Sequence, residues 1–249
     1  MQAHAPGLKK ISRYIRLSCM RILAIETSTM LGGVAIMDES ECLIAELRLN
    51  IKTTHSERLM TGIHLTLQQA GMEIADFDLF GLAIGPGSFT GLRIGLSTMK
   101  GFCFATGKPL VSVPTLEALA WNFQCCMHPV CAMLDARKKE VYAAVFQWKH
   151  NGFERILPER SIRPAELLTL LHGPVLFTGE GAEIYRGLIT EIAGADALFA
   201  APQARVPSPS QVAYLGLRKA RSGDFADPLS LIPLYLRRSE AEIKGPQGP

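Results

Sequence analysis

The sequence predicts an α/β protein made of two similar halves, and three observations lead to this fold class. An apolar run, a polar turn and a second apolar run predict a β-hairpin at residues 22–37, and the same pattern returns at residues 130–146. In each hairpin the first strand ends in an acidic residue, Glu26 or Asp135. Further strands and helices follow each hairpin. We therefore expect two α/β units that meet near residue 120 with a cleft between them.

Composition places the chain among ordinary globular proteins. It has 249 residues, of which 48% are hydrophobic and 20% charged, and its net charge is only +3. Such a weak positive charge argues against a protein that holds nucleic acid unaided. No apolar run reaches the length of a transmembrane helix. Because the six cysteines follow no disulfide framework, we expect reduced thiols and a cytoplasmic location without membrane contact.

The two ends of the chain are predicted to lie outside the two halves. Residues 1–19 are basic and contain no acidic residue, and a strand is predicted directly after them. We interpret them as a disordered extension or as a start codon assigned too early, while a transit peptide has a similar bias. The halves are then residues 20–120 and 121–240, and the Gly/Pro-rich residues 241–249 form a tail.

A first helix is predicted at residues 56–70. Leu59 and Ile63 recur on one face of it, and Gly71 supplies a stop signal. Later segments predict shorter elements: helices at residues 115–123 and 210–220, and a packed extended piece at residues 231–238.

The most informative segment is the stretch GPGSFTGLRIG at residues 85–95. It follows the apolar run 79–84 and leads into apolar residues at helical spacing, which predicts a strand, a glycine-rich turn and a helix start. Such a turn can bind phosphate, but the segment has neither a P-loop ending nor a dinucleotide fingerprint. We therefore expect its glycines to serve backbone geometry and close packing first. Ser88 and Thr90 are interpreted as helix caps rather than nucleophiles.

Two other groups of residues are candidates for chemistry. Cys125, His128 and Cys131 could bind a metal, but paired CxxC spacing is missing, so we expect neither a metal nor a cofactor. Glu26 could act as a general base, although we favour a structural acid at a strand end.

Six separated segments, in order along the chain, carry a family resemblance. They are residues 25–28, 55–59, 85–95, 107–110, 115–119 and 135–142. Together they resemble the TsaB (older name YeaZ) family of tRNA threonylcarbamoyladenosine biosynthesis proteins, which is related to TsaD. The resemblance runs from about residue 20 to residue 236, which is nearly the whole chain.

The resemblance implies an actin/Hsp70/sugar-kinase-like (ASKHA) fold of two duplicated α/β halves. It also implies a part in forming N6-threonylcarbamoyladenosine (t6A) at position 37 of tRNAs that read ANN codons. In that system TsaD performs the transfer with a metal held by a His-x-x-x-His motif, and TsaE is an ATPase that joins the complex. This chain has Thr115 and Leu119 at the matching positions, and neither side chain suits such a metal.

We therefore expect a non-catalytic scaffold that docks on TsaD and activates it, contacts tRNA only indirectly, and forms a homodimer when TsaD is absent. In the family, the two helices that follow residues 55 and 91 form a bundle with TsaD or with a second copy. Small and flexible residues lie among apolar ones in both helices, which suits an interface. The predicted partner-binding residues are His55, Leu59, Gly62, Ile63, Thr90, Gly91, Arg93, Ile94, Leu96 and Met99.

Other functions stay open on the sequence alone. Gly179 and Gly181 follow a predicted strand and resemble a nucleotide-contact loop, although a single Gly-x-Gly is a weak signal. An autonomous ASKHA-type ATPase or a glycoprotease-like peptidase is the alternative to a scaffold. Direct tRNA binding through the basic turn at residues 137–139 is a further possibility.

Overall fold

The structure is a computed structural model that describes residues 20–49 and 55–237, with the backbone alone at residues 55–58. The predictions for residues 1–19 and 241–249 lie outside these residues. Within the described helices, none is long and apolar enough to cross a bilayer.

The first half is built on a five-stranded sheet, counted over the described residues, with the order β3-β2-β1-β4-β5. β1 pairs antiparallel with β2 and parallel with β4, and β5 extends the parallel edge. Its strands and helices are β1 (Arg21–Glu26), β2 (Gly32–Asp38), β3 (Leu43–Leu49), α1 (His55–Ala70), β4 (Leu79–Gly85), α2 (Phe89–Thr106), β5 (Leu110–Pro114) and α3 (Thr115–Ala120).

The second half repeats this topology over the described residues, with the order β8-β7-β6-β9-β10. β6 pairs antiparallel with β7 and parallel with β9, as β1 does with β2 and β4. Its elements are β6 (Val130–Asp135), β7 (Val141–Lys149), β8 (Gly152–Ile162), α4 (Pro164–Thr169), β9 (Val175–Thr178), α5 (Glu180–Ile184), α6 (Arg186–Ala193), β10 (Ala197–Phe199) and α7 (Pro209–Arg221). The predicted duplication is confirmed.

The central strand β1 explains how the layers form. Its side chains alternate: Ile22 and Ala24 enter one apolar cluster, and Leu23 and Ile25 enter another on the opposite face. Because both faces are covered, the strand is apolar throughout rather than half polar. α1 and α2 cover the outer face of the first sheet, and α7 covers its inner face.

The helices between the sheets interlock the two halves. α7 belongs to the second half in sequence, yet Val212 and Ala213 pack with Ile22 of the first sheet. α3 packs Leu116 and Leu119 against the second sheet and Ala118 against the first. Each half therefore supplies the last helix of its repeat to the junction.

The predicted element bounds hold to within a few residues. α1 begins one residue before the prediction, and α7 spans Pro209–Arg221 instead of residues 210–220. α3 ends at Ala120 and continues as a 3-10 turn at Trp121–Phe123. Residues 231–237 have no regular secondary structure but pack against both halves.

Candidate functional site

The turn between β1 and β2 is organised by Glu26, which is fully buried. Its carboxylate accepts hydrogen bonds from the backbone N–H of Ser28 at 2.6 Å, from the Ser28 hydroxyl, and from Thr29 Oγ1 at 3.3 Å. Burial raises the pKa of Glu26 to about 7, although the bonds from Ser28 and Thr29 and the charge of Arg48 oppose this rise. Most of the acceptor capacity of the carboxylate is thus used within its own turn, which fits the structural interpretation of Glu26.

The glycine-rich turn packs directly on this first turn. A Cβ atom at Gly91 would lie 1.9 Å from the Thr27 carbonyl oxygen, and one at Gly87 would lie 2.4 Å from that of Ser28. The N–H of Ser88 donates to the Ser28 carbonyl at 2.7 Å. Only glycine allows so close an approach, which confirms the prediction that these glycines serve packing.

The first turn of α2 distinguishes the two predicted caps. Ser88 is the N-cap, because its hydroxyl accepts a hydrogen bond from the Gly91 N–H at 3.4 Å. The capping prediction for Thr90 is wrong, since Thr90 is already the second residue inside α2.

The second half uses glycine in the same way. A Cβ at Gly179 would lie 1.9 Å from the Met133 carbonyl oxygen, and its φ of +101° also favours glycine. Gly181 is the next close contact, with a Cβ position 3.1 Å from the same oxygen. These contacts account for both glycines by packing on β6, and a nucleotide contact by Gly179 and Gly181 stays a prediction.

Residues 231–237 form what we call the C-terminal strap, which contacts both halves. The N–H of Leu234 donates to the Ile84 carbonyl at 2.9 Å, next to the glycine-rich turn. The Tyr235 ring stacks on Phe89 with centroids 4.9 Å apart. In the second half, Arg237 donates to the Ala136 carbonyl at 3.3 Å. The strap therefore ties α2 to the turn between β6 and β7.

The turn between β6 and β7 differs from its counterpart in the first half. Arg137, Lys138 and Lys139 are exposed, and all three have a left-handed φ between 51° and 62°. Arg137 pairs with Asp135 at 3.2 Å, where the first half has the buried Glu26. The turn thus presents its charges to solvent.

The structure separates the ten predicted partner-binding residues into two groups. Thr90 and Arg93 are exposed and Ile94 is half-buried, whereas the side chain of His55 lies outside the described residues. The other six are buried on the inner faces of the two helices, and Met99 is fully buried. They are Leu59, Gly62, Ile63, Gly91, Leu96 and Met99. Their burial gives these six a packing role within this chain. Partner contact by the exposed members stays a prediction.

The outward surface of the two helices carries exposed residues that are not among the ten predicted partner-binding residues. We call it the α1/α2 face, and its exposed members include Met60, His64, Leu65, Ser97, Gly101 and Phe104. Phe104 is 91% exposed and Met60 49%. Helical phase could have identified these positions. The buried Leu59 and Ile63 define the inner face of α1, and the buried Leu96 and Met99 define that of α2. The exposed positions lie on the opposite face of each helix.

The candidate metal ligands do not converge in the part of the chain that the structure describes. No group of three or more His, Cys, Asp or Glu residues there could hold a metal ion. Cys131 is fully buried in β6, where burial raises the pKa of its thiol, while Cys125 is exposed. Thr115 and Leu119, which the family resemblance matches to the TsaD histidines, are both fully buried.

Comparison with known sequences gives a consistent family. The family model described as TsaD, tRNA N6-adenosine threonylcarbamoyltransferase, matches residues 45–245. The tRNA threonylcarbamoyladenosine biosynthesis protein TsaB of Bacillus subtilis is 34% identical over 228 residues, which cover 90% of this chain and 97% of that protein. The protein of the same name from Escherichia coli is 34% identical over 136 residues, or 53% of this chain and 58% of that one.

Solved structures support the fold. A Pseudomonas aeruginosa protein described as similar to peptidase YeaZ has a TM-score of 0.75 and 25% identity, covering 88% of this chain and 100% of that one. Component A of (R)-2-hydroxyglutaryl-CoA dehydratase from Acidaminococcus fermentans shares the fold alone, with a TM-score of 0.50 and 12% identity over 81% of this chain and 99% of that one. The predicted ASKHA fold is confirmed, and the chain belongs to the TsaB (YeaZ) family within the wider TsaD-related family.

Proposed function

We propose that this chain is a non-catalytic scaffold in the formation of t6A on tRNA, and that it docks on TsaD through the α1/α2 face and activates it. Membership of the TsaB family and the names of the relatives support the pathway. The exposed apolar and small residues of the α1/α2 face are the observation that supports docking through this surface.

This face combines exposed apolar side chains with small residues. Phe104, Met60 and Leu65 are between 41% and 91% exposed, although such side chains are usually buried. An exposed apolar surface of this kind is typical of a protein interface. Ser97 and Gly101 lie one turn apart on α2, and a Cβ at Gly101 would meet no atom within 4 Å. A partner helix can therefore approach the α2 backbone closely.

The contacts between the halves support a scheme in which TsaD performs the chemistry. The C-terminal strap joins Ile84 to Ala136, and Glu26 is bonded within its own turn. Thr115 and Leu119 replace the metal-binding histidines of TsaD, as the family resemblance implies. Activation is then a shift in the conformation of TsaD, because binding energy from the α1/α2 face favours its competent state.

The other partners follow from the same scheme. TsaE joins the complex as the ATPase, tRNA is contacted through the partners, and the complex works in the cytoplasm. When TsaD is absent, the α1/α2 face pairs with a second copy of the chain. The resemblance to the TsaB family is what supports these details.

A matched pair of substitutions tests the docking surface. Gly101 on α2 and Gly187 on α6 are both exposed helical glycines, and a Cβ added at either one would meet no atom within 4 Å. We expect Gly101→Arg to weaken TsaD binding and to lower threonylcarbamoyl transfer at least about tenfold, because it puts a long cation into the seam. Gly187→Arg should leave both unchanged.

Binding measured by calorimetry and transfer measured on tRNA would give the result. If both activities survived in a folded Gly101→Arg protein, the proposed surface would be wrong. Turnover of ATP or peptide by the isolated chain would instead favour the autonomous enzyme.

A further inference from the structure

A cavity of about 350 Å³ lies on the inner side of the first sheet, opposite the helices α1 and α2. Residues of α3, α7, β5 and the start of β8 line it. Its floor contains the buried side chains of Val113, Trp121 and Leu215. The volume is near the lower end of the range of about 300–1,000 Å³ typical of small-molecule sites.

Trp121 lines this cavity, and its indole N–H is a buried hydrogen-bond donor. Trp121 is 3% exposed, and its Nε1–H has no hydrogen-bond partner among the described residues. Trp148 and Phe153 hold the ring by edge contacts, with centroids 5.4 and 5.8 Å away. A buried donor without an acceptor is unfavourable by about 1–3 kcal/mol. An acceptor that reached this N–H from the cavity would remove that penalty.

Arg218 supplies a positive charge beside this donor. Its guanidinium carbon lies 4.9 Å from the centroid of the Trp121 ring, and its Nη1 donates to the Asn151 carbonyl at 3.3 Å. In the described part of the chain, no carboxylate forms an ion pair with Arg218. Its neighbour Lys219 differs, because it pairs with Asp224 at 2.8 Å. Arg218 is itself exposed at this cavity, where it can pair with an anion that enters from solvent.

Glu117 limits the charge of such an anion. It lines the same cavity and pairs with Arg155 at 3.5 Å, while Arg155 also pairs with Glu159 at 3.1 Å. Burial raises the pKa of Glu117, and the charges of Arg155, Lys219 and Arg218 oppose this rise. A ligand with a second negative charge would meet this carboxyl group, so a single charge fits better.

We propose that this cavity binds a small organic monocarboxylate. The apolar or aromatic body of the ligand packs on Trp121, Phe153 and Leu215, and its carboxylate accepts hydrogen bonds from Trp121 Nε1 and Arg218. The site lies on the opposite side of the first sheet from the α1/α2 face, so it does not depend on binding to TsaD.

Two probes of equal shape test the proposal, 3-phenylpropionate and the neutral 3-phenylpropan-1-ol. They are titrated into the full chain labelled with nitrogen-15, and the indole N–H signals are followed by NMR. The sequence has two tryptophans, so Trp148→Phe leaves the Trp121 signal alone and assigns it. We expect a saturable shift of this signal with the carboxylate, and at least about fivefold weaker binding of the alcohol, since it lacks the charge.

Arg218→Met and Arg221→Met form the matched pair of variants on α7. Arg221 is exposed, pairs with Glu41 and does not line the cavity. We expect Arg218→Met to weaken binding of the carboxylate at least about fivefold without changing that of the alcohol. Arg221→Met should change neither.

Two outcomes would overturn the proposal. One is equal binding of the carboxylate and the alcohol to the unaltered chain. This measurement does not depend on the folding of any variant. The other is the lack of a saturable shift up to about 20 mM carboxylate, a range that includes the weak affinities expected of such small ligands.

Discussion

The two halves share one strand order but differ in their turns and helices. In the first half the turn after β1 buries residues 27–29, with Glu26 bonded to Ser28 and the glycines of α2 packed on Thr27. In the second half the turn after β6 is exposed and carries Arg137, Lys138 and Lys139. The two sheets thus keep the same strand order, while the two turns differ in burial and charge.

The helices show the same asymmetry. α1 and α2 contain 16 and 18 residues, whereas α4, α5 and α6 contain 6, 5 and 8. A long helix pair offers a continuous surface to a partner, and short helices serve mainly to cover a sheet. This difference is consistent with our proposal that the first half is the docking half, and the first turn packs directly beneath α2.

The largest expected effect comes from breaking the contact between α2 and the first turn. Gly91→Ala puts a methyl group 1.9 Å from the Thr27 carbonyl oxygen, so α2 must move. We expect a loss of about 3–5 kcal/mol in the free energy of unfolding. Gly101→Ala on the same helix meets no atom within 4 Å and should stabilise by about 1 kcal/mol.

Urea denaturation of both variants checks this prediction. Equal stability of Gly91→Ala and Gly101→Ala would show that the turn does not support α2 as described.

The buried acid of the first turn should make stability depend on pH. The pKa of Glu26 is raised from 4.5 to about 7 in the folded chain, so the native state binds more protons than the unfolded state in that window. Stability should therefore fall as pH rises from about 4.5 to about 7, by about 3 kcal/mol in total, and then level off. Glu26→Gln removes this contribution and should be more stable than the parent chain above pH 7.

Urea denaturation at pH 5 and pH 8 measures this difference. Asp135→Asn is the control from the second half: its partner Arg137 is 87% exposed, so the pair contributes less than about 1 kcal/mol. The same pH dependence in Glu26→Gln and the parent chain would contradict the role given to Glu26.

A smaller effect is expected where the strap joins the halves. Tyr235→Leu removes the stacking on Phe89 and the hydroxyl that accepts from Arg93 Nε at 3.0 Å. We expect a loss of about 1–2 kcal/mol and faster proteolysis within residues 231–237. Tyr235→Phe keeps the stacking and should lose less, so equal effects of the two variants would show that the ring does not hold the strap.

The smallest expected effect is a gain in stability within α1. A Cβ at Gly62 would meet Val34 and Leu47 at 3.8 Å, which is ordinary contact distance. Gly62→Ala should therefore stabilise by about 1 kcal/mol through helix propensity and added packing. Gly187→Ala on α6 is the solvent-exposed control, and a thermal melt that showed Gly62→Ala to be destabilising would indicate that α1 lies closer to the sheet.

Local sequence patterns could predict most of the elements but not the contacts between them. The hairpins, the acids at Glu26 and Asp135, and the glycine-rich turn follow from spacing and residue type. The contact of Gly179 with Met133 depends on strand neighbours distant in sequence, so no local pattern indicates it. The same holds for the cavity beside Trp121, because residues of α3, α7 and β8, which are distant in sequence, line it together.

The prediction of partner-binding residues is limited by the criterion used to choose them. Small and apolar residues were selected along both helices, and this criterion does not separate the buried Ile63 and Met99 from an exposed surface. Helical phase separates them, since Arg93, Ser97 and Gly101 follow one another at four-residue spacing on the outer side of α2.

Hydrogen exchange of this chain with and without TsaD shows which half of the molecule contacts TsaD. If the first half is the docking half, TsaD should slow amide exchange in α1 and α2 and leave α4, α5 and α6 unchanged. Protection confined to α4–α6, or no protection in a mixture that forms the complex, would contradict docking through the first half.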